Sequence, residues 1–150
     1  MKVLAKNRRA YFDYEITEKL EAGVVLTGQE VKSAKTGGLT LTGSYARVAG
    51  GEVELLNAQI KPYALAAGLE SYDASQTRKL LLHKAEIYRL SGRTQEKGLT
   101  LLPLEAYTKK GKIKILLGLG RAKKKTDKRE TIKKREDERK IQKIIRSRRN

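Results

Sequence analysis

The sequence predicts a mainly β fold with helices: a small antiparallel β-barrel, closed or partly open, followed by a basic C-terminal tail. Three observations carry this. Apolar residues recur with a period of two in several short runs, the spacing of half-buried strands. Glycine pairs and a Lys-Lys-Gly separate those runs, as tight turns require. Residues 121–150 then abandon the pattern: they hold 15 Lys or Arg against 5 Asp or Glu, a net +10 of the chain's +17, with little to bury.

The elements follow in order. Residues 11–16 (Tyr-Phe-Asp-Tyr-Glu-Ile) put Phe12, Tyr14 and Ile16 on one side, and a strand is expected there. Residues 20–26 continue it across Gly23, which marks a bulge or sharp bend. Residues 27–36 read as a short helix, with Thr27 as cap, Glu30 completing a capping box, and Gly37-Gly38 as the stop. Strands are expected over 39–48 and 53–60 around the turn Ala49-Gly50-Gly51, then a polar loop over 63–77 and a strand over 79–82. Residues 83–95 space Ile87 and Leu90 as one helix face. A closing hairpin, 99–107 and 112–119, turns at Lys109-Lys110-Gly111. The division is thus a β-rich domain over 1–120 and a tail over 121–150. An isolated helix carrying that much like charge does not recover its nucleation cost, so the tail is expected to be disordered alone and helical when docked.

A chain of 150 residues has room for one such core. No cysteine is present, which removes disulfides, thiolate metal sites and a cysteine nucleophile. The N-terminus shows no signal-peptide pattern and no run is long and apolar enough to span a bilayer, so a cytoplasmic location is expected. The charge points to a polyanion, and nucleic acid is the reading preferred over a merely solvating tail: neutralised phosphates release condensed counterions and bind without a preformed pocket. His83 is the only histidine, and no phosphate-binding loop or metal-spaced carboxylate cluster accompanies it. No enzymatic activity, cofactor or metal is expected.

Candidate contacts begin with Asn7, Arg8 and Arg9: arginine grips phosphate bidentately, and an asparagine amide offers both donor and acceptor to a base or ribose. The competing reading is an ordinary exposed terminus. Glu21 and Glu30 sit oddly in a basic protein. At an RNA surface a carboxylate orients an arginine or accepts from a base amino group or 2′-hydroxyl, whereas Glu30 also has the plain role of closing a helix cap.

Several segments go further. The run Leu20-Glu21-Ala22-Gly23-Val24-Val25-Leu26-Thr27-Gly28-Gln29-Glu30-Val31-Lys32-Ser33 resembles the signature of the SmpB (SsrA-binding protein) family, partners of transfer-messenger RNA (tmRNA). So do Asn7-Arg8-Arg9-Ala10 with Asp13-Tyr14, Gly43-Ser44-Tyr45, Arg78 through Lys84, Gly98 through Leu104, and Lys123-Lys124 followed by Asp127-Lys128-Arg129. The resemblance implies an oligonucleotide-binding (OB-like) barrel with flanking helices. It implies a monomer binding one-to-one to the tRNA-like domain of tmRNA and delivering it to stalled ribosomes for trans-translation. On that basis Asn7, Glu21, Gly23, Glu30, Lys32, Lys123 and Lys124 are the RNA-facing or RNA-supporting set, joined by Arg8, Arg9, Arg78, Lys79, His83 and Lys84. The tail, with Asp127, Lys128 and Arg129 at its base, would occupy the decoding centre of the small-subunit rRNA and the empty message channel. The chain departs from the family at Tyr11, where a basic residue is usual, at Phe12, where histidine is common, and at Ala122 and Thr126 in the tail. A ribosomal or other structural rRNA-binding protein is the alternative on charge alone, and a DNA-binding architectural protein a further one.

Overall fold

Where the alternation over 11–16 predicts a strand, the chain first makes a short helix. In the computed structural model, which describes residues 1–66, 68, 70–96 and 98–149 (with the side chains of 125–127 and 147–149 outside the description), strand β1 covers Lys2–Lys6 and helix α1 covers Arg8–Asp13. Asn7 decides this. Its Oδ1 accepts from the backbone N–H of Ala10, and its Nδ2 donates to the carbonyl of Pro103 at 2.9 Å. The cap outweighs a weak period-two pattern of three residues. The expected strand begins only at Tyr14.

The rest follows the sequence more closely. β2 (Tyr14–Val24) leads to α2 (Gly28–Lys35), which opens with the reciprocal Thr27–Glu30 capping box. The single strands expected over 39–48 and 53–60 are each broken in two. β3 (Leu39–Thr40) and β4 (Tyr45–Ala49) flank a turn in which the Ser44 hydroxyl donates to the Leu41 carbonyl; β5 (Glu52–Leu56) and β6 (Gln59–Ile60) follow. β7 (Arg78–Leu81), α3 (Lys84–Thr94), β8 (Leu99–Lys109), β9 (Lys112–Ala122) and α4 (Lys125–Arg149) complete the chain. The β8–β9 turn places Lys110 and Gly111 at φ of 51° and 77°, the twist a two-residue hairpin needs.

Seven strands form one antiparallel sheet in the order β1-β8-β9-β2-β7-β5-β4, and β3 pairs with β6 separately. The sheet curls so that β4 packs near β8, but no ladder joins β4 to β1, so it is an open OB-like arrangement and not a closed barrel. Bulges in β1, β2 and β8 supply the bend. The bulge in β2 lies between Ile16 and Glu18, not at Gly23 as expected. Gly23 is instead where β2 is shared by two neighbours, pairing with Leu81 of β7 and Lys114 of β9. A Cβ there would lie 3.3 Å from the Leu81 Cβ, so the close approach of β7 accounts for the glycine.

Inside the curl, Leu41, Val53, Leu55, Ile60, Leu80, Leu101, Ile115, Leu117 and Leu119 are almost fully buried. Each contributes about 1.5–3 kcal/mol of transfer free energy, which is what fixes the register of the strands bearing them. α1 covers a smaller apolar cluster of Ala10, Leu102 and Leu104, against which Tyr11, Tyr14, Ile16 and Leu116 pack. Because α1 sits there, the outer face of this part of the sheet is covered.

Candidate nucleic-acid interface

The strand pairing around Gly23 builds an outward-facing row: Tyr107 of β8, Lys114 of β9, Gly23 of β2 and Leu81 of β7 lie opposite one another in turn. Because side chains alternate along a strand, Glu21, two residues before Gly23, shares this face. Lys114, Gly23 and Leu81 of this row line a groove of about 570 Å³ whose walls also include Glu21, Leu26, His83, Glu86 and Lys112. Glycine at position 23 keeps the floor low. The groove is wide and mixed in character, with a histidine, two lysines and two glutamates over an apolar base.

Glu21 and Glu86 are its acidic members; Glu86 accepts from the backbone N–H of His83 at 3.0 Å. The Tyr107 hydroxyl donates to Glu21 Oε2, and the Lys109 ammonium lies 3.4 Å from both carboxylate oxygens. The Tyr107 hydrogen bond, with Lys109 and Lys114 adding positive charge against a smaller burial effect, holds the Glu21 carboxyl below its ordinary value. Tyr107 responds in the opposite direction: burial and the neighbouring Glu21 carboxylate push its hydroxyl up to about 12. Glu21 is therefore an ionised acceptor held at the lip of the groove, with one neutral and one charged donor fixing its orientation. It offers an amino group of a base, or a ribose hydroxyl, something that phosphate-binding lysines cannot.

The other candidate carboxylate has a different place. Glu30 is 1% exposed and Arg78 3%. The Arg78 Nη2 and Nε donate to Glu30 Oε2 at 2.6 and 2.9 Å, and the same guanidinium reaches the carbonyls of Ala58, Ala74 and Gln76. Tyr72 and Gln76 also donate to Glu30 Oε2. Burial alone would raise the Glu30 carboxyl, but the Thr27 N–H, Arg78 and Gln76 together hold it below the ordinary carboxylate range. This network pins the stretch from Tyr72 to Gln76 to α2 and β7. With Asn7, which is 2% exposed and spent on the α1 cap and on β8, these residues have no surface to present. What they do here is hold the surrounding backbone in place.

The remaining candidates separate into two places. His83 lines the groove, with Lys84 exposed beside it at the start of α3 and Lys32 exposed on α2, its ammonium over the Tyr63 ring at 5.9 Å. Lys79 lies on β7 and pairs with Glu52 at 3.1 Å. Arg8 and Arg9 are exposed on α1, far from the groove in the chain of pairings but next to the tail; Arg9 reaches Asp13 at 3.4 Å. Lys123 and Lys128 both meet Asp13, through the Lys123 N–H to the Asp13 carbonyl at 2.8 Å and the Lys128 ammonium to its carboxylate at 3.2 Å. Lys124 and Arg129 are exposed. The side chain of Asp127 lies outside the described residues, as does that of Thr126. Among the described residues no group of three or more His, Cys, Asp or Glu is arranged to hold a metal ion.

Reasoning from sequence passed over Lys109, Lys112, Lys114 and Tyr107. Their signal was present: Lys-Lys-Gly-Lys-Ile-Lys places Lys112 and Lys114 on one face of a strand that points its isoleucines inward.

Comparison with known proteins bears on this geometry. The model of the family described as SmpB protein matches residues 4–147. The SsrA-binding protein of Synechococcus elongatus is 49% identical over 145 residues, covering 97% of this chain and 94% of the relative. That of Syntrophobacter fumaroxidans is 48% identical over 148 residues, covering 99% and 91%. The SsrA-binding protein of Acaryochloris marina is 46% identical over 144 residues, covering 96% and 94%. A solved chain from "tmRNA-SmpB: a journey to the center of the bacterial ribosome" superposes with a TM-score of 0.68 at 49% identity, covering 83% of this chain and 87% of that one.

Proposed function

This chain belongs to the SmpB family, and from that premise we propose that it binds the tRNA-like domain of tmRNA and delivers it to stalled ribosomes for trans-translation. The family match along residues 4–147 carries the reading, because it spans the β-rich body and nearly all of the basic tail together. A ribosomal-protein reading explains the charge but not that match.

Within this function the two basic regions take different tasks. The groove with Glu21, His83, Lys112 and Lys114 receives folded RNA, Glu21 accepting from a base or ribose while the lysines meet phosphate. Glu30, Arg78 and Asn7 hold the frame on which those contacts depend. The tail, with Asp127, Lys128 and Arg129 at its base, enters the decoding centre and the unfilled message channel. Its cations then neutralise ribosomal RNA where a codon–anticodon duplex would otherwise lie. The protein acts by binding, without catalysis or cofactor, in the cytoplasm and as a single copy per tmRNA. In support of that setting, no helix among the described residues is long and apolar enough to cross a membrane.

The test separates body from tail. Truncation after Lys124 should leave tmRNA affinity within a few-fold of the full chain and abolish tagging of nascent peptides on stalled ribosomes. Full tagging activity by the truncated protein would remove the tail from this function. Sequencing the RNA that co-purifies with the intact chain should show strong enrichment of tmRNA; recovery of bulk rRNA alone would favour the ribosomal-protein reading.

A further inference from the structure

Tyr11 and Phe12 of α1 lie where the tail helix meets the body. Lys128 and Arg135 stand seven residues apart, two turns of α4, and so project from one face about 10 Å apart along its axis. Both converge on a single ring: the Lys128 ammonium and the Arg135 guanidinium each lie 5.8 Å from the centroid of Phe12. Cations so placed are drawn to the ring face. The adjacent Asp13 adds its carboxylate to Lys128 and its carbonyl to the Lys123 N–H.

This seat has a consequence one turn along α1. Arg135 is brought beside Lys6, Arg8 and Tyr11, and these four residues line a hollow of about 310 Å³. Three of the four are cations. Lys6 also lies over the Tyr11 ring at 5.8 Å and 4.0 Å from Glu105, so it is held in place at the rim. Gathering three positive charges from β1, α1 and α4 leaves a local excess that Glu105, against Lys6, offsets only in part, so a further anion is favoured there.

We propose that Lys6 and Arg8 of the body and Arg135 of the tail form a composite site for one RNA phosphodiester, assembled by the Phe12 seat, so that filling it clamps the tail helix to the body. The two arginines meet phosphate through their planar donor forks, and Lys6 supplies a point charge. Tyr11 closes the back of the hollow with a ring instead of a further repelling cation. The site deepens the function proposed above and rests on it: RNA held here sets the direction in which the tail leaves the body.

The test exploits a neutral substitution. Phe12→Leu removes no charge, yet it frees Arg135 from its seat. Affinity is measured for the full chain as a function of salt in two arms, tmRNA and the isolated small ribosomal subunit. In the arm that supplies the phosphate, Phe12→Leu should lower the salt slope by about one unit, as the loss of one phosphate contact does. Arg135→Gln should lower it equally, the double variant should lose no more than either single one, and Phe12→Tyr should retain the original slope. A drop in one arm supports the site and identifies its source. Unchanged slopes in both arms, or additive losses in the double variant, would overturn it. If the unsubstituted chain fails to bind tmRNA at all, the underlying function fails instead, and the two failures are thereby distinguished.

Discussion

Arg78→Ala tests whether the Glu30–Arg78 pair is a frame or an RNA contact. Truncation leaves the Glu30 carboxylate, 1% exposed, without its counter-charge. It also strips the carbonyls of Ala58, Ala74 and Gln76 of their shared donor. Tyr72 and Gln76 still donate to the carboxylate, but both belong to the loop that Arg78 holds in place. Breaking one side of a buried ion pair costs about 3–5 kcal/mol. Against a total of about 5–15 kcal/mol for a domain, that is a large share, and a fall in melting temperature on the order of 15 °C is expected. The control is Arg47→Ala, which removes a pair of similar distance, 3.1 Å to Glu54, with a side chain 55% exposed. It should cost less than about 1 kcal/mol. Urea unfolding of the two variants reads the difference directly. If Arg78→Ala costs no more than Arg47→Ala, or if it lowers the salt slope of RNA binding with stability intact, the burial argument is wrong.

Three further outcomes are expected. Tyr107→Phe removes the main donor to Glu21, so the Glu21 carboxyl should titrate closer to its ordinary value of 4.5; an unmoved midpoint in the carboxyl carbon shifts would dismiss that hydrogen bond. In the unsubstituted chain, whatever stability the contact adds is complete above about pH 4.5 on the Glu21 side and fades as the pH falls through its depressed value. On the Tyr107 side the contribution is present below pH 10 and fades as the pH climbs towards about 12. Lys112→Ala and Lys114→Ala should each reduce the salt slope of tmRNA binding by about one unit, whereas the groove assignment falls if both leave it unchanged. For the tail, circular dichroism of the isolated 123–150 peptide should show little helix in dilute buffer and much more with RNA; strong helicity alone would contradict folding on the partner.

The architecture was largely legible because burial writes itself into alternation. β9 is the clearest instance: Ile113, Ile115, Leu117 and Leu119 can point only one way, and the strand pairs as they require. The α2 boundary was legible for a local reason, since Thr27 and Glu30 satisfy each other's backbone donors within one turn. α1 was not. Its stability comes from Asn7 bonding to Pro103, a residue 96 positions away, and no local pattern reports that. The same holds for Arg78, whose run of basic and apolar neighbours looks like a surface strand until Tyr72, Ala74 and Gln76 close over it.

What the residues alone determined is the class of partner and the division of labour, because net charge and hydrophobic period are properties of composition and spacing. A +10 segment with little to bury seeks a polyanion in any fold. What only the tertiary structure decided is which polar groups meet that partner. Glu21 and Glu30 lie nine positions apart and look alike in the chain. Yet one stands at the rim of a groove with Tyr107 and Lys109, and the other is enclosed with Arg78. The difference arises from long-range packing, which determines whether a charge keeps its water or must find its partner inside.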